Sequence, residues 1–241
     1  MAGRTTNKDS KKIGKLYGIG VGPGDPELMT LKAVRILKEC DVIAIPGKNP
    51  SESVAYSIAF GACPEIADKE KLYITTPMNK DFAELEKGYK NSALLIEEYL
   101  SKGKDVALLT LGDPTIYSTY IYIHRNVVND GFGAQIISGV TSFCAVAAKM
   151  GKSLVDRDME LHIIPASYQI EDKLNLNGTK VLMKAASKLG DISGIIKNKD
   201  CEAFMIENCG MENEKIYFDK EEFPEHGSYY SIIVVKEEND D

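Results

Sequence analysis

No apolar run in this sequence approaches the length of a membrane span. The longest, such as Ile232-Ile233-Val234-Val235, fall far short of the roughly 20 residues that a spanning helix needs, so no membrane segment is expected. There is no Cys-x-x-Cys pair: Cys40, Cys63, Cys144, Cys201 and Cys209 are an odd number, scattered, and mostly inside apolar segments. That usage fits reduced thiols and a cytoplasmic location. Histidine is scarce, and His124, His162 and His226 are isolated in sequence, so no protein-bound metal is expected. Basic excess is missing too. A net charge of -7, a pI near 5.2 and the lack of a Lys/Arg stripe argue against a nucleic-acid surface. There is no low-complexity segment and no repeat with a period of about 20 to 50 residues. Residues 1–14 are polar and basic with no apolar stretch behind them, the wrong order for a secretory signal, and are expected to be a disordered tail. The acidic end, Glu237 to Asp241, reads as solvated.

What remains is ordinary globular composition, 44% hydrophobic and 27% charged over 241 residues, enough for one large domain or two small ones. Short β-rich runs ending in Gly, Pro or Asp alternate with stretches of helical period, the pattern of a parallel sheet flanked by helices. The class is α/β. Strands are expected at Leu16–Val21, Asp41–Ile45, Lys71–Thr75 and Asp105–Leu111, with helices at Thr30–Glu39, Ser53–Phe60, Phe82–Leu100 and Tyr117–Val128. Thr30 and Thr141 are expected N-caps. Further strands are expected at Gln135–Ser138, Leu161–Ile164, Thr179–Lys184, Cys201–Ile206 and Ser228–Lys236, and helices at Thr141–Met150 and Lys188–Lys197. The terminal strand is nearly all apolar, as one covered on both faces would be. The turn Asn129–Gly133 is the expected junction between an N-terminal domain, 15–130, and a C-terminal domain, 134–241.

The chemistry is concentrated in glycine turns. Leu16-Tyr17-Gly18-Ile19-Gly20-Val21-Gly22-Pro23-Gly24-Asp25-Pro26 is a strand running into a turn with glycine at every second position, where a large ligand could lie against bare backbone. A dinucleotide fingerprint fails on spacing: started at Gly18, Gly20 or Gly22, its last slot falls on Pro23, Asp25 or Glu27. The phosphate-loop pattern fails because no Gly-Lys-Ser/Thr follows. A plain tight turn would use one or two of these glycines, hardly all four. A second strand, Leu108 to Leu111, again ends in Gly112-Asp113-Pro114, and a third glycine-marked end follows at Ser138-Gly139-Val140-Thr141-Ser142. In an open α/β sheet, ligands bind beyond the carboxyl ends of strands, where all three would lie.

Gly20 to Thr30, Leu111 to Ser118 and Gly139 to Ser142 resemble, in order, the signatures of the tetrapyrrole methylases, and the resemblance covers the chain from about Lys15 to Lys236. Within that family the chain is most similar to the (cobalt-)precorrin-2 C(20)-methyltransferases, through Gly112–Tyr122, Thr141–Ala145, Val181–Lys184 and Glu207–Met211. Ser118-Thr119-Tyr120 stands where the uroporphyrinogen methylases usually have Arg-Gly, a departure from that branch.

The resemblance implies two consecutive α/β domains, a homodimer, S-adenosylmethionine folded in the cleft between domains, S-adenosylhomocysteine as product, and a tetrapyrrole that does or does not carry cobalt. Carried over by residue, it implies cofactor contacts from Pro23, Leu111, Gly112, Asp113, Ile116, Thr141, Ser142, Met183, Lys184, and Cys209 or Gly210. Substrate contacts are expected from Gly22, Gly24, Asp25, Tyr117, Arg125 and Arg157, with Lys184 a further candidate. A sulfonium already activates the methyl group, so alignment and exclusion of water suffice, and no nucleophile or triad is expected. Methylation of a meso carbon must be followed by loss of its proton, for which Asp113, Tyr117, His124 or a substrate ring nitrogen are candidate acceptors. His124, beside Arg125 and without a visible carboxylate partner, reads first as an ordinary helix-face residue. Rival functions are a sister methylase acting at another ring carbon (C(11), C(17) or uroporphyrinogen), a nucleotide-binding oxidoreductase, and a non-catalytic tetrapyrrole-binding protein.

Overall fold

The computed structural model describes residues 12–75, 81–167 and 170–237, so most of the expected N-terminal tail and most of the acidic end lie outside the described residues. The chain divides into two compact units, one comprising the segments up to Gly22 and Pro26–Gly139, the other Pro23–Asp25 and the chain from Val140.

The first unit is a five-stranded parallel sheet made of β1 (Lys15–Gly20), β2 (Val42–Pro46), β3 (Glu70–Ile74), β4 (Val106–Thr110) and β5 (Gly133–Ile137), in the order β3-β2-β4-β1-β5. Two helices, α1 (Leu31–Glu39) and α2 (Val54–Ala62), cover one face; α3 (Phe82–Leu100) and α4 (Tyr120–Asn129) cover the other. The period of two along a strand sorts the cores: Ala107 and Leu109 of β4 face α1 and α2, while Val106 and Leu108 face α3 and α4. Thr30 caps α1, its hydroxyl accepting from the Ala33 amide at 3.2 Å.

Because β5 pairs with β1, Gly133–Ile137 completes the first sheet, and the unit boundary falls at Gly139/Val140 rather than at the expected turn 129–133. That turn only joins α4 to its own strand. Helix α4 starts three residues later than expected, since Tyr117 has φ 48°, outside the right-handed region a helix requires.

The second unit holds β6 (Leu161–Pro165), β7 (Thr179–Met183), β8 (Glu202–Glu207), β9 (Lys215–Tyr217) and β10 (Ser231–Lys236), in the order β6-β7-β10-β8-β9. Only the β6–β7 pairing is parallel. β10 enters antiparallel between β7 and β8, so the sheet is mixed, not parallel as expected, and β9 is too short to show in the sequence. Helix α6 (Leu189–Lys197) packs on the face that carries Ile233 and Val235; α5 (Ser142–Met150) packs against the same strand β10. A central strand buried along nearly its whole length explains the unbroken apolar run 232–235.

One carboxyl group sits badly in this packing. Glu97 of α3 is 8% exposed, and its Oε1 is buried with no hydrogen-bond partner among the described residues. Burial first, then the neighbouring Asp130 carboxylate, hold its pKa above the usual carboxylate range. A folded-state pKa raised above the unfolded one favours folding at low pH and loses that contribution as pH rises through it. Glu97→Gln is therefore expected to match the parent in acid and to unfold at a higher temperature than the parent once the pH rises above the ordinary carboxylate range, read as the difference in Tm across a pH series.

Candidate functional site

In the first sheet β1 and β4 are neighbours, yet the chain leaves β1 toward α1 on one face and leaves β4 toward α4 on the other. Adjacent strands whose loops part to opposite faces open a crevice at their carboxyl ends, the usual ligand position in an open α/β sheet. The two glycine turns meet here: the Gly112 amide donates to the Gly22 carbonyl at 2.8 Å and the Gly22 amide to the Gly112 carbonyl at 3.3 Å. Gly20 and Gly139 are pressed together beside them. A Cβ on Gly20 would stand 2.5 Å from the Gly139 nitrogen and 2.8 Å from the Gly112 carbonyl oxygen, closer than any side chain tolerates.

Asp113 ties its own turn to the segment at Gly139. It is 8% exposed; its Oδ1 accepts from the Thr115 amide at 2.8 Å and the Thr115 hydroxyl at 2.5 Å, and its Oδ2 accepts from the Gly139 amide at 3.0 Å. Each carboxylate oxygen is thus engaged within the protein, and Asp113 shapes the turn. Gly112 has φ 69° and open space where a Cβ would project, so no side chain fills the room beside this turn. Leu111 and Ile116, half-buried, flank it. Gly18, by contrast, faces no ligand: a Cβ there would run into the ring of Tyr120, so this glycine serves the core.

The second unit brings together Gly24, Asp25, Cys209 and Gly210. A Cβ on Gly24 would overlap the Cys209 carbonyl oxygen, and one on Gly210 would stand 2.6 Å from the Asp25 nitrogen. Pro23 precedes this contact. Met183 and Lys184 end β7 on the same edge of the sheet, with Met183 paired to Ile232 and Ile232 to Ile206, which places Met183 about 10 Å from the end of β8. Lys184 (φ 59°) and Asn208 (φ 52°) are both left-handed, an uncommon backbone state for residues other than glycine. Burial lowers the Lys184 pKa, and burial raises that of Cys209 to about 11, so Cys209 is a packing thiol and no nucleophile. Thr141 stands at the N-cap of α5 as expected, but its hydroxyl makes no cap bond, and its Oγ1 is buried without a partner among the described residues. Ser142 opens the helix beside it.

Three expected residues are placed elsewhere. The ring of His124 meets the Tyr120 hydroxyl at 2.9 Å, and that hydroxyl donates to the Gln135 carbonyl at 3.2 Å, level with the middle of β5 and short of its carboxyl end. Burial, then Arg125, lower the His124 pKa, which suits a neutral structural ring. Arg125 is exposed on α4 with its guanidinium 6.0 Å from the Tyr122 ring centroid. Arg157 is exposed in the loop before β6, where Lys236 at the end of antiparallel β10 bonds the Ser153 carbonyl at 2.9 Å. This is the amino end of β6 and β7, the opposite edge from Met183 and Lys184. Tyr117 does lie in the loop after β4, 43% exposed and left-handed. The residues not foreseen are Thr115, Glu207 and Glu214; for Glu207 the visible signal is a carboxylate closing the apolar run Ala203–Ile206.

The model of the tetrapyrrole (corrin/porphyrin) methylases matches residues 15–223. The chain belongs to that family. It is 33% identical over 232 residues to a probable cobalt-precorrin-2 C(20)-methyltransferase of Methanocaldococcus jannaschii, covering 94% of this chain and 98% of that one. It is 29% identical over 234 residues to a precorrin-2 C(20)-methyltransferase of a Sinorhizobium species, covering 92% and 95%. In fold it matches the uroporphyrin-III C-methyltransferase of Thermus thermophilus crystallised with S-adenyl homocysteine, with a TM-score of 0.68, 21% identity, and 93% and 98% of the two chains covered. Two α/β units with one parallel and one mixed sheet are therefore the architecture of a tetrapyrrole methylase. Among the described residues no helix is long and apolar enough to cross a membrane, and no three His, Cys, Asp or Glu side chains are grouped to hold a metal.

The packed turns make a direct prediction for this member of the family. Gly20→Ala forces a methyl group into backbone and is expected to cost about 3 kcal/mol or more in urea unfolding. Gly194→Ala, exposed in the middle of α6 with open space around the new Cβ, is expected to gain about 0.5–1 kcal/mol.

Proposed function

We propose that this methyltransferase moves the methyl group of S-adenosylmethionine to carbon 20 of precorrin-2, or of its cobalt complex, in cobalamin biosynthesis. The observation that carries this reading is the likeness to two C(20)-methyltransferases over more than nine-tenths of the chain. When bound, S-adenosylmethionine supplies a methyl group already activated by its sulfonium. Each unit has features that suit such a ligand: in the first, Gly112 leaves open space at its Cα; in the second, Thr141 has a hydroxyl without a partner among the described residues and the Cys209–Gly210 turn a fixed main chain. Asp113 holds the turn in shape, since its oxygens are taken by Thr115 and Gly139. The Asp113 oxygens are engaged by Thr115 and Gly139 and the His124 Nδ1 by Tyr120, so we assign the proton from carbon 20 to a substrate ring nitrogen or solvent. The chain's contribution is alignment. Substrate contact is assigned to Gly22, Gly24, Asp25 and Tyr117 and is withdrawn from Arg125 and Arg157. The reading includes a homodimer acting in the cytoplasm, the first part of which sedimentation velocity tests.

The deciding experiment incubates the protein with precorrin-2 and, separately, its cobalt complex, each with isotopically labelled S-adenosylmethionine, and locates the label by NMR. Label at carbon 20 is expected, and the preferred arm shows whether cobalt precedes methylation. Label at another carbon would make the protein a sister methylase; ring binding without S-adenosylhomocysteine release would make it a carrier. Asp113→Ala, which frees Thr115 and Gly139 together, is expected to weaken S-adenosylhomocysteine binding about tenfold or more in calorimetry. Unchanged affinity would remove the Asp113 turn from the cofactor site.

A further inference from the structure

Glu207 ends β8 as a buried carboxylate, 4% exposed, with no cation bonded to it among the described hydrogen bonds. Its Oε1 accepts from the Tyr217 hydroxyl at 3.0 Å and its Oε2 from the Ser228 amide at 3.0 Å. Ser228 continues the chain of bonds: its hydroxyl donates to Asn208 Oδ1 at 2.6 Å and accepts from the Tyr230 amide at 3.2 Å. The Asn208 amide donates to the Tyr230 carbonyl at 3.1 Å and its side chain to the Asn213 carbonyl at 3.0 Å. Asn208 is thus held through both its main chain and its side chain, which keeps a residue other than glycine at φ 52°. Past Asn208, the Gly210 amide donates to Glu214 Oε2 at 2.7 Å, and Glu214 pairs with Lys149 of α5 at 3.0 Å. The turn so held is the one whose Cys209 carbonyl packs on Gly24. A buried carboxylate is costly unless fully bonded, and mere sheet stability would be served as well by an apolar side chain at this strand end.

We infer that Glu207 is a positioning residue: through Tyr217, Ser228 and Asn208 it sets the Cys209–Gly210 main chain in the geometry that receives S-adenosylmethionine. The inference rests on the cofactor reading above. Glu207→Gln exchanges one acceptor oxygen for a donor that faces a donor, and Tyr217→Phe removes one bond while leaving the Ser228 side intact. Calorimetric titration with S-adenosylhomocysteine is expected to show about tenfold weaker binding for Glu207→Gln and a smaller loss for Tyr217→Phe. In turnover, KM for S-adenosylmethionine should rise by more than kcat falls. Thermal unfolding of each ligand-free variant is recorded alongside; should Glu207→Gln fail to fold, Tyr217→Phe carries the test. Parent-like affinity in the folded variants, with or without a fall in Tm, overturns the positioning role while leaving the cofactor reading intact. A parent protein that binds no S-adenosylhomocysteine overturns both.

Discussion

The first unit depends on a place where three pieces of main chain touch with nothing between them. Gly20, Gly112 and Gly139 meet where the loops of β1 and β4 part, and a single added methyl group on Gly20 or Gly139 would collide with backbone. Main chain packed this closely must satisfy its own amides and carbonyls, because no water fits. The reciprocal Gly22–Gly112 bonds and the Gly139 amide on Asp113 do this. Asp113 is in turn a buried anion made tolerable by its three donors. Sheet order, glycine spacing and carboxylate thus form one constraint: the order creates the crevice, the glycines let it close, and the carboxylate fixes its rim.

Much of this was legible in the residues. Local periodicity placed β4, α1 and α3 within a residue or two of their bounds, since strand and helix patterns depend on neighbours in sequence. The glycine alternation from Gly18 to Gly24 was visible as a signal, but not its division of labour. Gly18 makes room for Tyr120, a residue a hundred positions away, and Gly24 makes room for the Cys209 carbonyl, farther still. The junction was misplaced for the same reason. A polar turn at 129–133 looks like a boundary until β5 is seen to pair with β1, and pairing partners of parallel strands are not written locally.

Side-chain direction was the least legible property. Arg125 and Arg157 carry the charge an acidic ligand would attract, yet one stacks on Tyr122 and the other sits at the amino end of its sheet. Nearness in sequence to a strand end says little about which edge a later loop returns to. Conversely, Glu207 gave a weak signal, one acid after four apolar residues, because its role comes from Tyr217 and from Ser228 across β10. The antiparallel entry of β10 is what brings Ser228 and Tyr230 to the carboxyl ends of β7 and β8, so the mixed sheet is a condition for the clamp on Asn208.

Of the four left-handed residues other than glycine among the described residues, Tyr117, Lys184 and Asn208 follow β4, β7 and β8 at their carboxyl ends, while Arg157 lies in the loop before β6. Each such residue costs about 1–2 kcal/mol relative to a relaxed backbone, and it persists only where neighbours over-determine it. A reaction that needed a strong base or nucleophile would spend its unusual chemistry on a shifted thiol, imidazole or carboxylate. Here the thiol of Cys209 is pushed to about 11 and the ring of His124 is committed to Tyr120, both moved away from such work. The unusual features are conformational instead, and three of the four left-handed residues stand at the carboxyl ends of strands. That distribution is what methyl transfer from a pre-activated donor requires, since the barrier left to lower is one of orientation and desolvation, which fixed backbone supplies without proton transfer.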